Sequence, residues 1–273
     1  MMRRWPSNPE RNLLILLVGA LSFIATASAE PSSAALAAFD TYTRSVESRL
    51  VLQHRSPDSF LAPTSAGPQA EARLRRGELI IERIAVSEVA QPPGAALYHW
   101  RGTAFAPGAT VADFERLMKD FSAYPQTFAP QVLSAHVLSQ NGNRLQATMR
   151  VRQQHVITVV LDTSYDVAFA RLDPQHGYSL SRSTHIAEIA SPGMHAEHPL
   201  GPDRDHGFLW RQNTYWTYEQ RKGGLFMQIE SISLTRSIPT GLGWAIGPYV
   251  ESIPSDSLEF TLRSTSNALR KQN

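Results

Sequence analysis

The residues best placed to do chemistry lie on two strand-like runs, 207–219 and 225–236, joined by Arg221-Lys-Gly-Gly224. With Lys222-Gly223 as a two-residue hairpin turn, Arg221 opposes Gly224 and Tyr215 opposes Glu230. Alternation then gathers Arg211, Asn213 and Tyr215 on one face beside Glu230, Leu234 and Arg236. Trp210, Trp216 and Tyr218 share the other face with Met227 and Ile229. A slip of one residue would exchange the faces. Turned inward, the first face puts a carboxylate among arginines in a partly apolar setting. Burial is expected to raise the Glu230 pKa unless Arg211 or Arg236 compensates. Glu230 would then orient the polar end of a ligand, or act with Tyr215 or a histidine as an acid–base couple. The bland alternative is a structural Arg–Glu pair. The aromatic face also has two readings: walls on which a ligand stacks, or packing beneath an N-terminal arm.

Other reactive chemistry is scarce. His195-Ala-Glu-His198, with Asp203, Asp205 and His206 near by, is the closest approach to a metal cluster. It stands between Pro192-Gly193 and Pro199, so no helical turn presents two imidazoles together, and a polar surface loop is expected. His155 and His185 are isolated strand histidines. No nucleophile elbow, P-loop, dinucleotide glycine fingerprint or His-Glu-x-x-His occurs. The absence of cysteine excludes disulfides, thiolate nucleophiles and Cys-based zinc. Neither a metal nor another cofactor is expected, and no reaction can be read directly from the residues.

Those strands need neighbours. Ser33 to Leu52 reads as a helix, with Leu36, Phe39, Thr43, Val46 and Leu50 at spacings of three and four. It would pack on the domain or act as a mobile arm. Residues 56–67 read as a linker, 79–89 as a strand, and Arg73-Leu-Arg-Arg76 as a solvated strand start. A strand over 96–105 is broken by Pro107-Gly108, and Thr110-x-x-Asp113 caps a helix carrying Val111, Phe114, Leu117 and Met118. Tyr124-Pro125 is expected to force an extended step, leaving at most a short helix over 127–130. From Val132 a meander follows, its first hairpin marked by Gln140-Asn-Gly-Asn143 and its second strand apolar on one face through Leu145, Ala147, Met149 and Val151. The later strands are expected at 156–169, 177–189, 207–219 and 225–236.

The last strand enters Ile238-Pro-Thr-Gly-Leu-Gly-Trp-Ala-Ile-Gly-Pro248, a glycine-rich link in which Trp244, Ile246 and Tyr249 would form an apolar mouth. A helix is expected from about Ser255, capped by Ser255 or Asp256, with Leu258, Leu262, Thr265 and Leu269 as its apolar stripe. Strand, helix, short helix, six-strand meander and long C-terminal helix together resemble the START-like superfamily, which includes polyketide cyclases and coenzyme Q-binding proteins. The residues that carry the resemblance are Asp113-Phe-Glu-Arg-Leu-Met-Lys-Asp-Phe-Ser-Ala-Tyr-Pro125 and the segment Ile229 to Leu262. The resemblance covers roughly residues 95–271. It implies an α+β helix-grip fold, a curved antiparallel sheet around the terminal helix, with a hydrophobic ligand cavity between them. It fixes no substrate.

Residues 1–29 read as an export signal: Arg3, Arg4 and Arg11, then an apolar run over 13–24, then Ala27-Ser28-Ala29 as a cleavage site. An uncleaved anchor is the alternative. The chain carries 26 Lys plus Arg against 24 Asp plus Glu, and without residues 1–29 the two counts become equal, so no nucleic-acid partner is expected. The organisation expected is a signal at 1–29, a helix, linker and strand extension at 30–94, and the helix-grip domain at 95–273. Its expected role is that of an exported, non-enzymatic carrier of a lipid or other hydrophobic small molecule, periplasmic or secreted. Arg211, Tyr215, Trp216, Glu230, Arg236 and Trp244 are the expected cavity residues. A peripheral membrane contact is compatible with the apolar mouth. The alternatives are a cyclase- or hydrolase-like enzyme of the same fold, and an envelope adaptor that uses the 33–52 helix.

Overall fold

The computed structural model describes residues 30–56, 59–154, 158–201, 204–238 and 243–271, with the side chains of 243–251 excepted. In chain order come α1 (Ser33–Gln53), α2 (Ala70–Arg75), β1 (Ile80–Arg83), β2 (Ala95–Pro107), α3 (Val111–Lys119) and α4 (Tyr124–Thr127). The strands β3 (Val132–Asn141), β4 (Arg144–Gln154), β5 (Thr158–Arg171), β6 (His176–Ala190), β7 (His198–Pro199), β8 (Arg211–Arg221) and β9 (Gly224–Arg236) follow, and α5 (Gly243–Lys271) ends the chain. The antiparallel sheet runs β1-β2-β9-β8-β6-β5-β4-β3, with β7 pairing β6 off that path. This is the α+β helix-grip arrangement: a long sheet with the terminal helix held against one face.

The sheet is covered on both sides. Its inner face packs on α5 and α3, where Met227, Ile229, Trp216 and Tyr218 meet Leu258, Leu262, Leu269 and Phe114. Its outer face is covered by α1, where Leu97, Tyr215, Ile232 and Leu234 meet Ala35, Phe39, Val46 and Leu50. So the 30–94 segment is part of the packed body: α1 is one layer, and β1 extends the sheet beside β2. The apolar stripe of α5 falls as expected, with Leu258, Leu262, Thr265 and Leu269 all buried. Helix and sheet approach so closely at Gly102 that a Cβ there would sit 2.4 Å from Leu262 Cδ1. Only the bare glycine backbone admits the leucine.

Local chemistry sets most boundaries. The Ser32 hydroxyl caps α1 by accepting from the Ala35 N–H at 3.1 Å. Thr110 and Asp113 form a reciprocal capping box on α3. Lys222-Gly223 is the two-residue turn, with Gly223 at φ 88°, and Tyr215 lies opposite Glu230 as expected.

Three boundaries differ from expectation. The helix α5 begins at Gly243, and Pro248 and Pro254 lie within it. Proline lacks an N–H, but its locked φ is helical, so a long packed helix runs through positions that sequence rules read as a start. Tyr124-Pro125 opens a short helix, because the preceding Phe121–Ala123 turn, capped by Asp120, delivers Tyr124 in the α region and proline suits a first helical turn. Arg73–Arg76 closes the short helix α2, anchored by buried Leu74, and the strand that follows ends at Arg83 before a turn at Glu88–Ala90.

Candidate functional site

Between the inner face of the sheet, the α3–α4 corner and residues Ile253–Thr261 of α5 lies a cavity of about 390 Å³. One end is aromatic and aliphatic: Phe121, Tyr124, Phe128, Met149, Val167 and Phe169. Phe121 stacks on Tyr124 at 4.5 Å between centroids, and Phe128 meets Tyr124 edge-on at 4.9 Å. The α4 turn thus holds three rings as a rigid wall.

The other end carries a band of neutral polar groups: Ser179 and Ser181 on β6, Gln212 and Thr214 on β8, Ser231, Ser233 and Thr235 on β9. Register brings them side by side. Ser181 opposes Thr214, Thr214 opposes Ser231, and Gln212 opposes Ser233. Gln212 Nε2 donates to Ser231 Oγ at 3.3 Å, and the Tyr165 hydroxyl donates to Gln212 Oε1 at 3.4 Å. Among the described residues, the hydroxyls of Ser181, Thr214 and Ser233 make no hydrogen bond and remain available to a guest.

The basic side chains of the lining are Arg152, His206 and Arg236, and no Asp or Glu is among the described lining residues. Of the three tyrosines in the lining, Tyr124 is driven upward by burial and Tyr165 is pushed up to about 12, so both phenols stay neutral. Tyr124 donates to the Met118 carbonyl at 2.7 Å.

Of the six expected cavity residues, two line it. Trp216 contributes its ring, wedged edge-on against Phe114 at 5.2 Å. Arg236 lies at the polar end, where its Nη2 donates to the Asp205 carbonyl at 3.2 Å and its guanidinium lies 6.0 Å from the Trp210 ring. The Trp244 side chain lies outside the described residues, as do those of Ile246 and Tyr249.

Arg211, Tyr215 and Glu230 belong to the opposite face, which is a correction. The Tyr215 hydroxyl donates to Glu47 of α1 at 2.9 Å, and Arg211 Nη1 donates to the Trp210 carbonyl at 3.0 Å. Glu230 accepts from His99 Nε2 at 2.8 Å and from the Arg49 guanidinium. Burial acts to raise the Glu230 pKa, but the His99 hydrogen bond and the charges of Arg49 and Arg101 outweigh it and hold the carboxyl below its usual range. The compensating groups are thus from α1 and β2, not Arg211 or Arg236.

Of the three rings on the aromatic face, only Trp216 meets the cavity, together with Ile229 of the same face. Tyr218 is fully buried against Phe114 and donates to Glu115 at 3.2 Å, while Trp210 packs beneath α1. The histidine loop is dispersed: His206 pairs with Glu188 at 2.8 Å, His198 Nδ1 contacts the Ala196 carbonyl, and His195 and His185 are exposed. Asp203 and His155 lie outside the described residues.

Sequence reasoning missed the aromatic corner and the hydroxyl band. The band had a visible signal in Ser231, Ser233 and Thr235, which alternate with Ile232 and Leu234. The face weighed as inward there is the one carrying Glu230 and Leu234, and α1 covers that side.

No family model and no curated protein matches the chain. Among solved structures, a STAR-related lipid transfer protein fragment from Xanthomonas axonopodis is 17% identical, covers 70% of this chain and 98% of its own, and has a TM-score of 0.43. The Zhui aromatase/cyclase from Streptomyces sp. R1128 is 11% identical over 64% of this chain and 95% of its own, TM-score 0.43. Human STARD10 is 8% identical over 77% of this chain and 81% of its own, TM-score 0.42. Likeness at this level fixes neither ligand nor chemistry.

Proposed function

We propose that the chain is a binding or carrier protein for a hydrophobic small molecule with neutral oxygen groups at one end, and that residues 1–29 export it. The observation that carries this is the cavity: an aromatic wall at one end, a hydroxyl band at the other, and no described carboxylate between them. Burial of an apolar guest contributes about 25 cal/mol per Å² removed from water. The hydroxyls would set its orientation by hydrogen bonding.

An enzyme built on Glu230 and Tyr215 loses its basis, since both face α1 across the sheet from the cavity. The adaptor reading is weakened as well, because α1 is packed and pinned along its length. Purification of the full chain followed by native mass spectrometry and solvent extraction tests the carrier role. A co-purifying apolar molecule is expected, and Val167→Trp, which fills the aromatic end, should abolish its retention while the protein stays folded. Failure to retain or take up any apolar molecule would sink the proposal.

A further inference from the structure

The interface between α1 and the outer face of the sheet holds a cleft that the cavity does not use, polar at its floor and apolar along Val46, Ala62, Pro63 and Ile84. Tyr42, Ser45, Arg49, His99, Arg101 and Glu230 line it, and its volume is about 470 Å³, inside the range of roughly 300–1,000 Å³ usual for small-ligand sites. At its floor Glu230 and His99 are each only 2% exposed. His99 Nε2 donates to Glu230 Oε2, which leaves Nδ1 to accept from the Tyr42 hydroxyl at 2.9 Å. The Arg49 guanidinium donates to the same Oε2.

The second oxygen of that carboxylate is the anomaly. Glu230 Oε1 is buried and has no hydrogen-bond partner, and Arg101 Nη1 stands 3.9 Å away. Arg101 Nε is buried without a partner too, although Nη2 donates to Glu82 and to the Pro63 carbonyl. A buried anionic oxygen with no donor is costly and calls for an explanation. A structural ion pair accounts for Oε2 and leaves Oε1 unexplained.

The chemistry of the gap narrows what would fill it. A span of 3.9 Å between donor and acceptor is too long for a direct hydrogen bond. It suits a single atom that accepts from the guanidinium and donates to the carboxylate, as a hydroxyl does. An ammonium would donate but meet two guanidiniums; an anion would accept but face the carboxylate. The formal charges of Arg49 and Arg101 are matched by Glu230 and Glu82, so a neutral guest is favoured. We propose that this cleft is a second binding site, for a neutral polyol of sugar type, one hydroxyl of which bridges Arg101 and Glu230 Oε1.

Saturation-transfer NMR on the full chain with D-glucose and myo-inositol tests this, with acetate and methylammonium as charged controls. Transfer to at least one of the two polyols is expected, with affinity falling at least about tenfold in Glu230→Gln, the loss that goes with a hydrogen bond to a charged group. Ser45→Trp, at the exposed rim of the cleft, should give the same loss without touching the network, and so decides the matter if Glu230→Gln does not fold. No transfer to either polyol, transfer unchanged in the folded variants, or preference for a charged control would overturn the proposal. So would a high-resolution crystal grown with the polyol that shows only water at Oε1. Uptake of a hydrophobic fluorophore reports on the cavity separately, so either site can fail alone.

Discussion

Glu230 and His54 make the α1 interface sensitive to acid in a direction that can be worked out. The Glu230 carboxyl has a folded pKa below its usual value, so its contribution is present above the unfolded pKa and is lost as pH falls through the folded one. His54, half-buried beside Arg49 and stacked on Tyr178 at 4.5 Å, is held down to about 4 from 6.5. Its neutral form is the folded form, so stability is full above 6.5 and declines as pH falls from there toward about 4. Denaturant midpoints should therefore drop between pH 6.5 and 4 in the wild type, and His54→Gln, which keeps a donor for Thr217, should flatten that slope. An unchanged slope in the variant would remove His54 as its source.

At the scale of elements, the tightest dependence is that of α5 on β2. Leu262→Ala removes a fully buried side chain and should cost about 2–5 kcal/mol in urea melts. Gly102→Ala should also destabilise, because its Cβ would collide with Leu262, yet the double variant Gly102→Ala/Leu262→Ala should cost less than the two changes summed. Strict additivity would mean that the close approach is unimportant. Much of this level was legible in the chain: the Lys222-Gly223 turn set the β8–β9 register, and the stripe of α5 and the box at Thr110 were readable from spacing. The inward face was not. Alternation reports two faces but names the inner one only when the other meets water, and β9 meets α1 on one side and α5 on the other. The start of α5 was hidden for a related reason, since packing lets a helix run through prolines that local rules treat as boundaries.

For the molecule as a whole, α1 is a structural layer. It is tied down by Arg49 to Glu230, by Glu47 to Arg182 at 2.8 Å, and by His54 to Thr217 at 3.0 Å, above an apolar floor that includes Leu97, Ile232 and Leu234. Deleting residues 30–54 should uncover that floor and give a chain that aggregates, as size-exclusion chromatography would show; a soluble, monomeric product would restore the idea of a detachable arm. Among the described residues no helix is long and apolar enough to cross a membrane.

The strand β9 is a partition wall between two compartments, with Ile229, Ser231, Ser233 and Thr235 facing one and Glu230 the other. Ser231 and Ser233 front the oily chamber, whereas Glu230 stands at the floor of the cleft behind them. An inserted or deleted residue in this strand would therefore swap the furnishings of both rooms at once, delivering a carboxylate to the greasy side and an isoleucine to the guanidiniums. Neither compartment can be redecorated by shifting the wall; each must change one side chain at a time.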